Sequence, residues 1–424
     1  MMEQASVGGP YHRAERGFFN WHMSRGVSRR AVLAAAAVGG AALAGVAAAQ
    51  QAPADPSKVV GARATPLGSR SPFEQPMRLA SGLQNSSARA PIDSLRGVIT
   101  PSDLHYIVNH DTTPTIDPTH YTLTVHGMVD RPTVFNLADL QRFPSISRML
   151  FLECGGNSAW GKQPDTATAQ AIHGLTSNSN WEGVPVKTLL NEVGVQSTAA
   201  WALVVGWGNE SVARSIPLQK LMDDAFIAYG QNGEALRPEQ GYPARLLLPG
   251  WLGNSNIKWV RRIELGDQPW DTKFETTSYT MPMPDGTVRQ YTFIWEAKSL
   301  ITWPTPAIGA MPAMGPWEIR GLAWSGRGKI TKVEVSTNGG QTWDEAMLDQ
   351  PVLPQSHTRF HFPWTWDGSE AVLTSRATDE TGYVQPTREQ LVAVRGTNSR
   401  YLNNSQQNWK VAASSGAVTN YYLA

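Results

Sequence analysis

Ser147-Arg-Met-Leu-Phe151-Leu-Glu-Cys154-Gly-Gly-Asn157 is the stretch from which the rest of the chain is best read. Its apolar part, Ser147 to Glu153, has the length and composition of a buried strand. The strand runs straight into Cys154, and Gly155 and Gly156 allow both a sharp turn and the close approach of a bulky group to the sulfur. Cys154 is the only cysteine. A single thiol excludes an internal disulfide, a Cys-ligated iron–sulfur cluster and a CxxCH-attached haem. Three readings of the thiol stay open from its chemistry: a small buried hydrophobe, as most lone cysteines are, a nucleophile with a histidine base, or a soft metal ligand.

On either side of this strand, short helices and strands interleave irregularly, which is an α+β pattern rather than a wound βαβ sheet. Tyr121 to His126 alternates as a strand, followed by turn chemistry at Asp130-Arg131-Pro132. Asn136 to Leu140 is predicted as a short capped helix stopping before Pro144. Further on, the spacing predicts a helix over Val186–Val193, a buried strand over Trp201–Gly206 and a helix over Leu218–Phe226. Arg245 to Pro249 is another apolar run, and Ile257 to Val260 opens a strand. Beyond the Pro-rich segment Trp303–Pro316 the character changes. Thr331, Val333, Val335 and Thr337 share one face, Asn338-Gly339-Gly340 supplies a tight hairpin, and Val372 to Thr378 alternates again. With no helical pattern, this part reads as an immunoglobulin-like β-sandwich. The expected organisation is an export signal over 1–49, an extended arm over 50–95, an α+β domain over 96–305, the sandwich over 306–396 and a polar tail over 397–424.

Lys plus Arg (36) nearly balances Asp plus Glu (35), so no basic field reaches out for nucleic acid. Apolar residues at 41% can fill real cores, and 424 residues suit two domains. Ser28-Arg29-Arg30 precedes an Ala/Gly/Val/Leu stretch from Ala31 to Ala49, which reads as a cleavable signal. The arginine pair points to the twin-arginine route and hence to the periplasm, with the cargo exported folded. Val32 and Leu33 stand where that motif usually has Phe-Leu.

Phe151-Leu-Glu-Cys154-Gly-Gly-Asn157 resembles the molybdenum-binding cysteine loop of the sulfite oxidase family. Tyr106-Ile107-Val108-Asn109-His110 is similar to that family's cofactor-contacting segment. Gln240-Gly-Tyr-Pro-Ala-Arg245, Leu248-Pro-Gly250 and Asn256-Ile257-Lys258 are similar to its phosphate-contacting run. Lys329 to Trp343 resembles a strand pair of its C-terminal dimerisation domain. The resemblance covers about residues 97 to 400 and its motifs occur in order. It implies a sulfite-oxidase-like molybdopterin domain followed by an immunoglobulin-like dimerisation sandwich. It also implies a molybdenum-molybdopterin cofactor, with Cys154 as the metal ligand. Arg245 and Lys258 would meet the cofactor's phosphate, while Asn109 and His110 would meet the pterin edge. Asn209 and Gln240 stand where the family tends to have Asp and His, Tyr279 aligns with the active-site tyrosine, and Trp181 aligns with the pocket tryptophan.

The substrate side departs from sulfite oxidases. Val108 replaces the family's upstream arginine, and Ser158-Ala159 replace an arginine pair. Small dianions such as sulfite are held mainly by bidentate guanidinium groups. Gly241 to Trp251, Gly266-Asp-Gln-Pro-Trp270 and Pro284-Asp-Gly286 through Glu296-Ala-Lys-Ser299 are most similar to the branch of sulfane dehydrogenase molybdenum subunits. That branch implies oxygen-atom transfer to a sulfane sulfur on a sulfur-carrier protein, with electrons passed to a c-type cytochrome. It further implies a homodimer, or a heterotetramer with the cytochrome. Alternatives within the fold are a sulfite dehydrogenase acting on free sulfite and a methionine sulfoxide reductase-type enzyme. Outside it, an exported cysteine hydrolase and a non-catalytic binding module remain. His357 with His361, and His120 with His126, share faces but match no zinc motif.

Overall fold

A computed structural model describes residues 55, 58, 63–81, 86–110, 112–158, 160–208 and 212–422. Contacts divide the chain into Met1–Ser69 and Arg70–Ala424. The export signal over 1–49, together with Asn209 and Ala159, lies outside the described residues. In the first unit, the Thr65 hydroxyl donates to the Leu67 carbonyl at 2.5 Å. Every sheet among the described residues lies in the second unit.

Two five-stranded sheets build its N-terminal part. One orders Glu234–Ala235, Phe226–Gln231, Thr176–Pro185 and Ile146–Glu153, with Arg245–Leu247 also pairing with Phe226–Gln231. The other orders Thr133–Asn136, Thr122–Gly127, Val260–Gly266, Trp201–Gly206 and Ala213–Pro217. In it, Thr122–Gly127 and Val260–Gly266 run parallel. Leu123, Val125, Val204 and Ile263 of the second sheet pack against Leu189, Leu190, Ile227 and Leu246 in one core. Helices sit where their local chemistry starts them. Asn136 caps Leu137–Arg142 in a capping box with Asp139, and Val186–Val193 buries Val186, Leu189, Leu190 and Val193 at helical spacing.

The C-terminal part is a sandwich of two antiparallel sheets. One orders Lys298–Trp303, Gly315–Trp324, Thr358–Trp366 and Met347–Leu348. The other orders Asp344–Glu345, Ile330–Ser336, Ala371–Asp379, Asn408–Val411 and Val418–Tyr421. One apolar core runs without a break from Phe151, Leu152 and Trp181 to Trp295, Trp324, Phe360 and Trp409.

Several expectations are corrected. The sandwich takes in Lys298–Trp303, ahead of the boundary at 305, because these residues pair with Gly315–Trp324. The supposed tail from 397 supplies two strands, anchored by fully buried Trp409 and Val411. A helix, Arg388–Arg395, interrupts the all-β reading, and a capping box between Thr387 and Gln390 starts it. The helix from Leu218 stops at Asp223, since Ala225, Phe226, Ile227 and Ala228 are buried and Phe226 opens a strand. The strand expected from Ile257 begins at Val260. The 338–340 turn is wider than a tight hairpin: Val335 pairs with Asp344, and Ser336 and Asn338 side chains bind the amides of Gly340 and Thr342. The arm before 95 holds strands Leu79–Ser81 and Ser87–Arg89, which continue onto Ile107–Val108.

Candidate active site

The last residues of Ile146–Glu153 are buried, so Cys154 enters its turn inside the protein and stays buried. Its amide donates to the Leu175 carbonyl (3.0 Å), and the Asn157 amide returns to the Cys154 carbonyl (2.9 Å). Gly155 carries the ring of Tyr279, which a Cβ at that position would meet at 3.5 Å. Burial pushes the Cys154 thiol up, so the sulfur keeps its proton unless a cation takes its place. Among the described residues, no three His, Cys, Asp or Glu side chains converge on one point. A metal at Cys154 must therefore bring most of its donors with it.

A cavity opens from the thiol, walled by residues of the segments 105–110 and 253–259, by Gly206 and Trp207, and by Arg245 and Tyr279. Arg245 donates to the carbonyls of Gln240 (2.9 Å) and Asn256 (3.1 Å). Lys258 donates to the Asn109 side-chain oxygen and to the Glu239 carbonyl (3.0 Å). Among the described residues neither cation has a carboxylate within ion-pair distance. Burial lowers Arg245 to about 10 and Lys258 to about 7, the latter also repelled by Arg245. A buried guanidinium and a half-buried ammonium whose hydrogen bonds go only to neutral acceptors are costly to hold together, and an anion such as a phosphate would relieve both.

Other groups in the wall lack partners. His105 Nε2, Arg245 Nε and both side-chain polar atoms of Asn254 are buried without a hydrogen bond. The other ring nitrogen of His105 lies 3.0 Å from the Tyr106 carbonyl, and burial lowers this imidazole to about 3, so it is neutral. Orphaned polar atoms at this density suit a polar ligand. The backbone is also pared down around them. A Cβ at Gly253 would stand 2.7 Å from the Tyr106 hydroxyl and 2.9 Å from the Glu153 carbonyl, and one at Gly206 would stand 2.6 Å from the Lys258 carbonyl.

Tyr279 closes the wall beside Gly155 with φ +51°. Its hydroxyl lies 3.2 Å from His110 Nε2, and its ring lies 4.6 Å from that of Tyr401. The Arg214 guanidinium sits 5.6 Å from the Tyr279 ring and pairs with Glu275 at 2.6 Å, both fully buried. Glu275 also closes the capping box that starts Lys273–Thr276, so the helix before Tyr279 is tied to the sheet behind it.

The structure brings together Cys154, Tyr106, Val108, Asn109, His110, Gln240, Arg245, Asn256, Ile257, Lys258 and Tyr279. Gln240 donates to the Tyr106 carbonyl (2.9 Å), and Asn256 accepts the Leu248 amide (2.7 Å), which fixes the loop below Arg245. Ile107 does not line the cavity; its strand pairs with Ser87–Arg89. Trp181 does not line it either. Fully buried, it donates to the Leu150 carbonyl (3.2 Å), with Arg245 5.2 Å above its ring, so it braces that guanidinium from behind. Sequence reasoning missed His105 and Asn254, though His105 adjoins Tyr106 and Asn254 lies two residues before Asn256. It also passed over Glu153, a carboxylate ending an apolar strand, which itself signals a buried partner.

Comparisons with known proteins agree with this geometry. Residues 110–274 match the Oxidoreductase molybdopterin binding domain, and residues 289–409 match the Mo-co oxidoreductase dimerisation domain. The crystal structure of the sulfane dehydrogenase SoxCD from Paracoccus pantotrophus superposes with a TM-score of 0.84 at 41% identity, over 87% of this chain and 97% of that one. Nitrate reductase [NADH] from Solanum lycopersicum is 31% identical over 351 residues, and nitrate reductase [NADH] 1 from Arabidopsis thaliana is 31% identical over 320. These alignments cover 72% and 68% of this chain but only 38% and 35% of the relatives, so the chain spans under two fifths of their length. A single thiol, two cations without a carboxylate partner among the described residues, and orphaned polar atoms fit a molybdenum cofactor that would bring further sulfur donors of its own. With a cofactor domain and a dimerisation domain in sequence and a cavity suited to the group they bind, the chain belongs to the sulfite oxidase family of molybdopterin oxidoreductases.

Proposed function

We propose that this chain is the molybdenum subunit of a periplasmic sulfane-type dehydrogenase. It oxidises a sulfur presented on a carrier protein and passes electrons to a c-type cytochrome, working as a homodimer or as a heterotetramer with that cytochrome. One observation carries the reading: beside Cys154 there is no guanidinium at positions 108 and 158, two of the three where the family's arginines would grip a small dianion. Val108 lines it with an alkyl group. Ser158, at φ +63°, turns inward to Lys298 and His173, each at 2.6 Å. A sulfur delivered on a protein arm brings its own binding surface and needs no such grip. The likeness to SoxCD supports the same reading, and Ser28-Arg29-Arg30 with the stretch to Ala49 supports export by the twin-arginine route.

Each residue then has a defined task. When bound, the cofactor supplies the two-electron redox couple and the exchangeable oxygen. Cys154 gives up its proton to become a ligand, because coordination outweighs the burial that otherwise holds the thiol neutral. Arg245 and Lys258 hold the phosphate, while Asn109, His105, Gln240 and Asn254 present hydrogen-bonding groups to the pterin. Tyr279 donates to the reacting oxygen, which requires His110 Nε2 to carry the proton that faces the phenol oxygen.

The test compares kcat/KM for carrier-bound sulfane, free sulfite and nitrate in wild type and Val108→Arg. Wild type should favour the carrier-bound sulfur. The arginine should raise sulfite turnover roughly tenfold to a hundredfold, the value of one charged contact of about 1.5–3 kcal/mol. The nitrate reductase relatives favour one second reading, a small oxyanion as substrate. Micromolar KM for sulfite or nitrate in wild type would establish that reading instead.

A further inference from the structure

Beneath the Cys154 turn lies an ion pair that the chemistry above does not use. Lys298 Nζ stands 2.6 Å from Glu153 Oε1, with both side chains sealed from solvent at 1% and 0% exposure. The same ammonium donates to Ser158 Oγ at 2.6 Å, so one cation grips the residues on either side of the turn that carries the thiol. Glu153 is held at every acceptor. Its second carboxylate oxygen takes the Trp324 indole N–H (2.6 Å), Asn157 Nδ2 donates to the first (2.9 Å), and its carbonyl takes the Trp295 indole N–H (3.0 Å). Ser158 continues the chain to His173 Nδ1 (2.6 Å), whose Nε2 meets Gln407 (3.0 Å). Lys298 and Trp324 belong to the sandwich, as does Asn408–Val411 next to Gln407.

A salt bridge buried only for stability is poorly justified, because an apolar pair of the same shape is often as stable. What an apolar pair does not supply is direction: the fixed donors and acceptors here leave the 153–158 turn one conformation. We propose that Lys298 is a positioning residue for the metal ligand: reaching from the sandwich, it clamps Glu153 and Ser158 and so aims the Cys154 sulfur into the cofactor cavity. The C-terminal domain thereby sets the ligand geometry as well as supporting the fold. This rests on Cys154 being the metal ligand.

The test uses the chain's single cysteine. In cofactor-free protein, the rate of Cys154 alkylation, followed as a function of pH and compared at equal thiolate fraction because the Glu153 carboxylate raises the thiol, reads opening of the turn. Lys298→Met alone leaves a buried carboxylate unpaired, so it should destabilise the fold and lose molybdenum, as a merely structural role would also require. Glu153→Gln/Lys298→Met removes both charges and should recover most of the lost stability. In that double variant, Cys154 at equal thiolate fraction should still alkylate on the order of tenfold faster than in wild type, because the clamp is gone while the fold remains. Reloaded with cofactor, it should show an altered Mo(V) paramagnetic signal. Wild-type alkylation and a wild-type signal in the stable double variant would overturn the proposal and leave Lys298 as a counter-ion only. If the double variant stays as unstable as the single one, the clamp is structural and the proposal also fails. X-ray absorption on wild-type holoenzyme and Cys154→Ala decides separately whether the thiolate is a ligand, so failure of that reading cannot be mistaken for failure of this one.

Discussion

Lys258 carries the clearest signature that the cavity is built for a charge the polypeptide does not supply. Its folded value of about 7 lies well below the roughly 10.4 of an unfolded lysine. The unfolded chain therefore binds the extra proton between those values. The penalty is complete below about pH 7 and fades as pH rises towards 10, so cofactor-free protein gains stability from this group across that window. Lys258→Met removes the effect. The variant's stability advantage over wild type, measured by denaturant unfolding of cofactor-free protein, should be larger near pH 6.5 than near pH 9.5. Equal values at the two pH would disprove the desolvated ammonium as the source. In the holoprotein the sign reverses: Arg245→Met or Lys258→Met should lower molybdenum content, each losing a charge-assisted phosphate contact of about 1.5–3 kcal/mol. Unchanged metal in the double variant would show that these residues are not phosphate ligands. Both cations were legible because they fall within a quotable motif. His105 and Asn254 were not, because what marks them is a buried polar atom without a partner, which only the folded chain displays. Trp181 was legible as a residue near the site but not as one behind it, since residue order does not say which side of a guanidinium a ring will take.

Elements were readable where their signals are local. Val186–Val193 and Trp201–Gly206 fall where periodicity places them, and Asn136 starts its helix by capping. Elements whose stability comes from distant partners were not readable. Asn408–Val411 follows the polar run Asn403-Asn404-Ser405-Gln406-Gln407 and looks like tail until Ala371–Asp379 is seen beside it. Trp409 is the apolar residue that commits this strand to the fold: it is fully buried, and its indole donates to the Ile301 carbonyl at 3.0 Å across the sandwich. Trp409→Ala should cost about 3–5 kcal/mol, the range for a large aromatic side chain removed from a packed core. Urea unfolding measures it directly. A loss under about 1 kcal/mol would return this segment to the status of a tail.

At the scale of the whole molecule, the two sheets of the sandwich and the Cys154 strand share one core, which changes what a domain deletion can mean. A chain ending near Pro304 keeps every residue named as a cofactor contact, and two independent domains would leave it a folded, monomeric cofactor binder. The continuous core argues otherwise. Such a truncation strips Trp324, Phe360 and Trp409 from the cluster that holds Phe151 and Trp181, and it removes the strand Gly315–Trp324 that pairs with Lys298–Trp303. It also takes the Trp324 indole from the Glu153 carboxylate. A few hundred Å² of newly bared apolar surface is already more than a soluble monomer usually carries. The full-length protein, with its Mo-co dimerisation domain, should scatter light as a two-fold dimer at micromolar concentration. The truncation should be insoluble or molten, with no cooperative unfolding transition. A soluble, monomeric, molybdenum-loaded fragment ending at 304 would show that the N-terminal sheets fold alone, and the sandwich would then be a dimerisation module with no part in shaping the site.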